Sequence, residues 1–306
     1  MKKKLILIIL FIILFFITAV LFWEGVYLSK KPALTEEKLF LVEKGQNLFQ
    51  ISQNLEKEEF IKSKFFFDFY VLIKRGQNKL KAGEYFLSPS MSIAKIAGKI
   101  ISGETAKIIV TIPEGFTVKQ IEELLGLKLP GTNLEGFLFP DTYQFPLRVT
   151  GKDVVERMRD NFEKKFTPYR NEVSGAGLTT VEVITMASLL EKEVQTLKDR
   201  KIVSGILWKR KNNNIPLQVD ATINYITGKK GIKVSTEDTK IDSPYNTYKY
   251  LGLPAGPICN PGLESIIAAI YPEDSDYWYY LSVPEGETIF SKTLEEHNIA
   301  KAKYLK

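Results

Sequence analysis

Two glutamates, Glu191 and Glu193, stand out first, because they end a segment that is otherwise apolar. The segment is residues 179–194, TTVEVITMASLLEKEV. Val183, Ile184, Met186, Ala187, Leu189 and Leu190 put apolar groups on nearly every side of a helix, the pattern of a core helix. At roughly 100° per residue, Glu193 continues the stripe of Met186, Leu189 and Leu190. Glu191 lies on the other side, with Ile184, Ala187 and Ser188. A carboxyl held against apolar side chains has its charged form disfavoured, so it keeps a proton closer to neutral pH. A general acid needs that property. Either glutamate is open to this reading. So is the plainer one, in which EKE is the solvated end of a core helix.

The elements that must position these groups are partly legible. Thr179 and Glu182 have the spacing of a capping box and predict the start of the helix. Residues 202–210 predict an amphipathic helix with a basic end, and Arg200 and Lys201 are expected to be solvated charges. Residues 277–283, YWYYLSV, have a strand pattern. The length, 306 residues, suggests about two domains, and the 44% hydrophobic content supplies a core.

The N-terminus predicts a membrane anchor. Residues 5–23, LILIILFIILFFITAVLFW, carry no charge. At about 1.5 Å per residue they nearly cross a hydrocarbon layer of roughly 30 Å. The preceding MKKK places the N-terminus in the cytoplasm. A cleaved signal peptide is the competing reading, but the apolar run is long and ends in Phe22 and Trp23, without a small-residue cleavage site. The expected layout is a cytoplasmic tip at 1–4, a transmembrane helix at 5–23 and a tether at 24–38, with the remaining residues outside the cytoplasm.

Charge and composition narrow the chemistry. The formal net charge is +6, and Lys2, Lys3 and Lys4 supply half of it. No basic patch interleaved with aromatics is present, which argues against nucleic acid. Cys259 and His297 are single residues of their type, too few for an internal disulfide or a structural zinc site. Cys259 reads as a small packing residue. No phosphate-binding glycine loop or cluster of metal ligands stands out, so neither a cofactor nor a metal is expected. Carboxylate acid–base chemistry is the easiest that this composition offers.

Residues 39–106 read as a small module. They hold a strand at 39–42, a turn at Gly45 and a helical stripe of Leu48, Ile51 and Leu55. An aromatic helix at 60–74, a strand at 81–87 and a helix at 91–101 follow. VEKGQNLFQISQNL from Val42 partly repeats as IPEGFTVKQIEELL from Ile112. Gly45 and Gly115 each precede an isoleucine by six residues and a leucine by ten. Strand, glycine turn and helix therefore recur, as in small units that grip extended glycans, although many strand–turn–helix units share this outline.

Three further segments are rich in groups that bind sugars. LEGFLFPDTY, 134–143, offers Phe137, Phe139 and Tyr143 for stacking and Glu135 and Asp141 for hydroxyls. LQVDATINY, 217–225, offers Gln218, Asp220, Asn224 and Tyr225. SPYNTYKYLGLPAGPICNPG, 243–262, begins with Tyr245, Asn246, Thr247 and Tyr248 and continues into a loop stiffened by prolines.

Taken together, EGFLFPDTY, ASLLEKE (187–193), LQVDATINY, YNTY with GLPAGPICNPG, and the closing His297-Asn298 resemble the endolytic murein transglycosylase family, also called YceG-like. The order of the motifs agrees, and the resemblance extends over nearly the whole chain after the anchor. It implies an α+β fold with an N-terminal transmembrane helix, a LysM-like module (39–106) and a larger mixed α+β catalytic domain (107–306). It also implies cleavage of nascent peptidoglycan strands between MurNAc and GlcNAc, leaving 1,6-anhydro-MurNAc ends. The expected place is the outer face of a bacterial cytoplasmic membrane, beside peptidoglycan synthases. In the family the second glutamate of the triplet is catalytic, which here is Glu193, with Glu191 the alternative acid. Glu135, Tyr143, Gln218, Asp220, Tyr245, Asn246 and Tyr248 are the expected substrate-binding residues. Of these, Asp220, Asn246 and Tyr248 are candidates for positioning the sugar or Glu193.

Two other functions fit parts of the pattern. A muramidase-type hydrolase needs a second carboxylate, for which Glu135, Asp141 and Asp220 are candidates. A non-catalytic glycan-binding scaffold would keep the small module and the aromatics without depending on Glu193.

Overall fold

The computed structural model describes residues 2–229, 234–283 and 286–304, with side chains from Lys4 onward. Of the tip expected at residues 1–4, Met1 and the side chains of Lys2 and Lys3 lie outside the described residues. The fold is mixed α+β, and the chain divides into two compact units. One is Met1–Ile109 with Gln144–Arg148, and the other is Val110–Tyr143 with Val149–Lys306.

The first unit opens with α1 (Lys2–Tyr27), which continues past the apolar run. Its stretch Lys4–Tyr27 is the one helix among the described residues that is long and apolar enough to cross a membrane. Then come β1 (Lys38–Val42), α2 (Leu48–Lys57), α3 (Lys64–Ile73), β2 (Gly83–Leu87) and α4 (Ile93–Ser102). β1 and β2 pair antiparallel, from Lys38 opposite Leu87 to Val42 opposite Gly83. Leu48, Ile51 and Leu55 turn inward as their spacing predicts and meet Phe67, Val71, Ile96 and Ile100 in one core.

The aromatic helix is shorter than its composition suggests. Glu59 takes a left-handed backbone, φ 65°, which ends α2. Phe60 and Ile61 are buried in the connection. Only at Lys64 does α3 begin, its first N–H bonded to the Glu56 carboxylate at 3.0 Å.

β3 (Lys107–Thr111) pairs with β4 (Thr142–Pro146), each strand holding residues of both units, and α5 (Val118–Leu125), between them in the chain, belongs to the second unit. The internal repeat is realised in the backbone. Gly45 and Gly115 both take positive φ, 91° and 75°. The helices that follow both start with a capping box, Asn47 with Gln50 and Thr117 with Gln120. Helices α6 (Gly151–Phe166), α7 (Arg170–Gly175), α8 (Thr180–Glu193), α9 (Leu197–Asn212), α10 (Asp220–Thr227) and α11 (Leu263–Ile270) form the bulk of this unit. The hairpin of β5 (Tyr279–Ser282) and β6 (Thr288–Ser291) and the helix α12 (Leu294–Tyr304) complete it.

Helix α8 sits at the centre of the larger core. Every side chain from Val183 to Leu190 is buried, polar Thr185 and Ser188 included. At roughly 1.5–3 kcal/mol for each large apolar side chain removed from water, this helix is a main source of stability. The Thr179 hydroxyl accepts from the Glu182 N–H at 3.1 Å, and the Glu182 carboxylate returns the bond to the Thr179 N–H at 3.0 Å. Helices α9 and α11 pack against it, tied together by the Trp208 indole N–H on the Ala269 carbonyl, 3.0 Å. The packing leaves charge only at the two ends of α8, at Glu182 in the first turn and at Glu191, Lys192 and Glu193 in the last.

Candidate active site

The two glutamates of that last turn meet different surroundings. Glu191 is enclosed by polar partners. Its carboxylate accepts from the Gly262 N–H (3.0 Å), the Ser265 hydroxyl (2.7 Å) and an Arg200 Nη (3.3 Å). Arg200 is 6% exposed, and it also bonds the Val194 carbonyl (3.2 Å) and Glu264 (3.0 Å). This corrects the expectation of a solvated arginine. The buried charge of Glu191 draws the guanidinium inward, because a buried ion is tolerated only when paired.

Glu193 has no such partner. It is half-buried and, among the described residues, forms no ion pair. The Tyr280 hydroxyl donates to one carboxylate oxygen at 3.1 Å, and the Ala221 N–H reaches the other at 3.4 Å. Burial pushes its pKa up to about 7, and the nearby Asp220 charge acts in the same direction. The Tyr280 and Ala221 bonds pull the other way by stabilising the anion. Ala221 lies in the first turn of α10, so the anion also faces the positive end of that helix. The Ser282 hydroxyl fixes the end of α8 through the Glu193 carbonyl, 2.7 Å.

Around Glu193 the sequence-expected residues gather unevenly. Asp220 is exposed at the start of α10 and receives a short hydrogen bond from the Tyr248 hydroxyl. Gln218 is exposed and left-handed, φ 55°, an unusual conformation for a residue with a side chain. Its N–H binds the Thr247 carbonyl at 3.1 Å, and its side-chain oxygen accepts from buried Arg210 at 2.9 Å. Asp220 and Tyr248 therefore lie beside Glu193, while Gln218 is joined to the loop of Tyr248 through Thr247.

Glu135 and Tyr245 lie along an adjoining cleft of about 810 Å³, lined also by Lys192, Ala221, Asn224 and Tyr225. A second hollow of about 560 Å³ shares Glu135 and Tyr245 and runs towards Phe137, Arg159 and Pro257. Burial pushes the Glu135 carboxyl up to about 7. It accepts from the Val118 N–H at the start of α5 (3.1 Å), from the Asn260 amide (3.2 Å) and from the Tyr225 hydroxyl. The Tyr225 and Tyr245 rings lie 5.1 Å apart.

Two expected substrate contacts are placed elsewhere. Tyr143 is 6% exposed, its hydroxyl donating to the Phe139 carbonyl at 2.6 Å and accepting from Asn161 at 3.0 Å. Its ring is drawn into the core by the alternation of β4, which buries Tyr143 and Phe145 together. Asn246 is 1% exposed. Its amide donates to the Thr239 and Ile241 carbonyls (2.9 and 2.7 Å), and its oxygen accepts the Tyr248 N–H (2.9 Å). Asn246 thus shapes the loop that carries Tyr248. Asp141, a possible second carboxylate, is exposed and held down in pKa by Asn161.

Tyr280, Arg210 and Asn260 also contribute to the site, although the sequence did not single them out. A signal for Tyr280 was present: Tyr280 and Ser282 are two apart in β5, so they share a face, and both reach Glu193. Asn260 is fully buried and ties the Phe116 carbonyl (2.9 Å), the Leu138 N–H (2.8 Å) and Glu135 together, which nothing in its local sequence indicates. Cys259 is also fully buried, its thiol on the Ser188 carbonyl at 3.4 Å.

The sequence pattern of the YceG-like family matches residues 40–303, nearly all of the chain beyond α1. The chain belongs to the YceG-like family. Relatives named endolytic murein transglycosylase include one from Bacillus subtilis, 33% identical over 299 residues, which cover 85% of this chain and 83% of the relative. One from Streptococcus pneumoniae is 31% identical over 311 residues, covering 84% of this chain but 56% of the relative. A YceG-like protein of Listeria monocytogenes, known from a crystal structure, is 33% identical and superposes with a TM-score of 0.60. The match covers 87% of this chain and 99% of that one. The YceG-like fold is thus shared with a protein of closely similar extent.

Proposed function

We propose that this protein is a lytic transglycosylase of peptidoglycan, cutting within glycan strands between MurNAc and GlcNAc with Glu193 as its acid and base. The observation that carries the reading is the Glu193 carboxyl itself, lifted to about 7 by burial, without an ionic partner among the described residues, and bonded to Ala221, which lines the adjoining cleft. Membership of the YceG-like family and the names of its relatives support the substrate.

The chemistry needs a single carboxyl. Protonated Glu193 gives its proton to the glycosidic oxygen, and the bond from that oxygen to the MurNAc C1 breaks. C1 takes on oxocarbenium character, and stabilising it is the role proposed for the exposed carboxylate of Asp220. The sugar's own C6 hydroxyl attacks C1 and closes the 1,6-anhydro ring. Its proton passes to the Glu193 carboxylate, restoring the acid. While Glu193 is an anion, Tyr280 and the Ala221 N–H stabilise it. Glu135, Gln218, Tyr245 and Tyr248 are the proposed sugar contacts, and Asn246 is a positioning residue for Tyr248.

A hydrolase reading has one specific observation in its favour: the Asp220 carboxylate is close enough to raise Glu193, so a pair of carboxyls is present. The mass of the released ends separates the two. Digestion of purified sacculi by the full chain is expected to give anhydro ends, lighter by one water than reducing ends. Reducing ends would establish the hydrolase instead.

The remaining assignments belong to the same proposal. Helix α1 anchors the chain in a bacterial cytoplasmic membrane, with the basic N-terminus inside and the catalytic residues outside, next to peptidoglycan synthases. Residues 39–106 act as a LysM-like module. Two helices between antiparallel β1 and β2 support that assignment. Residues 107–306 act as the catalytic domain.

A further inference from the structure

Helix α3 carries an apolar face that the core of its unit does not use. Phe67 and Val71 point inward and are fully buried. Phe65, Phe69, Leu72 and Ile73 follow one another at the spacing of a single helical face, and they are 65%, 46%, 45% and 56% exposed. Four large apolar side chains in one exposed stripe are unusual on a surface that faces only water. Asp68, the one acidic residue of α3, lies at the edge of this stripe, where burial raises its pKa.

The stripe is continuous with the surface of α1. The Phe69 ring packs edge-on against Phe22, 5.3 Å between centroids, and Phe65 stacks on Phe69 at 6.1 Å. Tyr70 meets Tyr27 at 6.3 Å. The contact is built closely, because a Cβ on Gly25 would lie 2.7 Å from the Phe66 ring. Val26 beside it is fully buried. The end of α1 is therefore seated on α3.

Depth along α1 fixes what lies beside α3. From Leu5, about 20 residues at 1.5 Å each span a hydrocarbon layer of roughly 30 Å. Phe22 and Trp23 then lie at its far boundary, and Tyr27 lies one turn beyond, at the headgroups, where aromatic rings concentrate. Phe69 packs on Phe22 and so shares its level, and Phe65 stacks on Phe69. Exposed Lys62, Lys64, Lys74 and Arg75 flank the stripe at both ends, as on helices that lie in a membrane interface.

We infer that α3 lies in the membrane interface beside α1, with Phe65, Phe69, Leu72 and Ile73 immersed in the lipid leaflet at the C-terminal end of the anchor. This rests on the proposal that α1 spans a bilayer. The small unit is then held to the membrane by two apolar elements, one crossing it and one lying in it.

The test uses the full chain, with buried Cys259 replaced by Ala, in vesicles of phosphatidylethanolamine and phosphatidylglycerol. Single cysteines at Phe65, Phe69, Leu14 or Lys44 carry a nitroxide, whose collisions with oxygen and with a water-soluble nickel chelate are compared. Labels at Phe65 and Phe69 are expected to meet oxygen more than nickel, as the Leu14 label does in the bilayer, while the Lys44 label meets nickel more. If Leu14 reports lipid but Phe65 and Phe69 behave like Lys44, the inference fails and the anchor stands. If Leu14 itself favours nickel, the anchor and the inference fall together. Shielding of Phe65 and Phe69 from both reagents, with spin–spin broadening that unlabelled chain removes, would assign the face to a second copy of the chain and overturn the inference.

Discussion

Glu191 and Glu193 are two residues apart in the last turn of one helix, and the protein treats them in opposite ways. Around Glu191 it supplies a guanidinium, a backbone N–H and a hydroxyl, so the carboxylate is a buried anchor between α8, α9 and α11. Around Glu193 it supplies one phenol and one N–H but, among the described residues, no paired cation, and it places a carboxylate nearby. The first environment ties a carboxylate into the packing; the second leaves a carboxyl free to exchange a proton. The difference shows that burial alone does not make an acid. A carboxyl becomes one when burial goes uncompensated by positive charge.

Breaking the contrast at Glu193 should have the largest effect. Glu193→Gln should slow strand cleavage by roughly 10²–10⁴-fold, the usual worth of a general acid, with anhydro ends lost from the mass spectrum. Breaking it on the Glu191 side should instead cost stability. Arg200→Ala leaves a buried carboxylate without its cation and should lower unfolding free energy by about 3–5 kcal/mol in urea titration of the detergent-solubilised chain.

The Glu193 environment should also shape how stability follows pH. The folded-state pKa of Glu193 is raised from 4.5 to about 7, so between those values the folded chain holds a proton that the unfolded chain has released. Its contribution is therefore neutral below pH 4.5, grows unfavourable as pH rises through the window, and is fully unfavourable above 7. Glu193→Gln should remove this loss and gain up to roughly 3 kcal/mol over the native chain at alkaline pH, with little gain at acid pH. Glu135, raised in the same direction, leaves a similar slope in the Glu193→Gln chain.

The smallest expected effect sharpens the comparison most. Tyr280→Phe removes a hydrogen bond that favours ionised Glu193. A bond to a charged group is worth about 1.5 kcal/mol or more, so the alkaline limb of the rate profile should move up by about one pH unit. A variant with only a packing defect would lose rate without moving that limb.

The parts of this arrangement that were legible in the sequence are those set by neighbours along the chain. The capping box of Thr179 and Glu182, the stripe of Leu48, Ile51 and Leu55, and the repeated glycine turns all depend on spacings of a few residues. Which side of α8 carries Glu193 was legible for the same reason. The fate of each glutamate was not, because it depends on Arg200, Gly262, Ser265 and Tyr280, which reach α8 from later elements of the chain. Arg200 looked like any lysine or arginine early in a helix until the Glu191 carboxylate gave it a buried partner. Tyr143 and Asn246 looked like sugar contacts by type, yet hydrogen bonds to Phe139, Thr239 and Ile241 make both of them interior. The limit of the aromatic helix was also hidden, since Phe60 and Ile61 are as apolar as the residues of α3 and are set apart from it by the left-handed turn at Glu59 and the extended backbone of Ser63.

The central claim is that Glu193, and not Glu191, holds the working proton. The pH dependence of the initial cleavage rate between about pH 5 and 9, for the native chain and for Glu191→Gln, tests it most directly. The native rate is expected to fall above about 7, where Glu193 loses its proton, and Glu191→Gln is expected to keep this limb at the same pH even if its overall rate is lower. A limb that disappears or moves in Glu191→Gln, or a native rate that does not fall across the range, would contradict it.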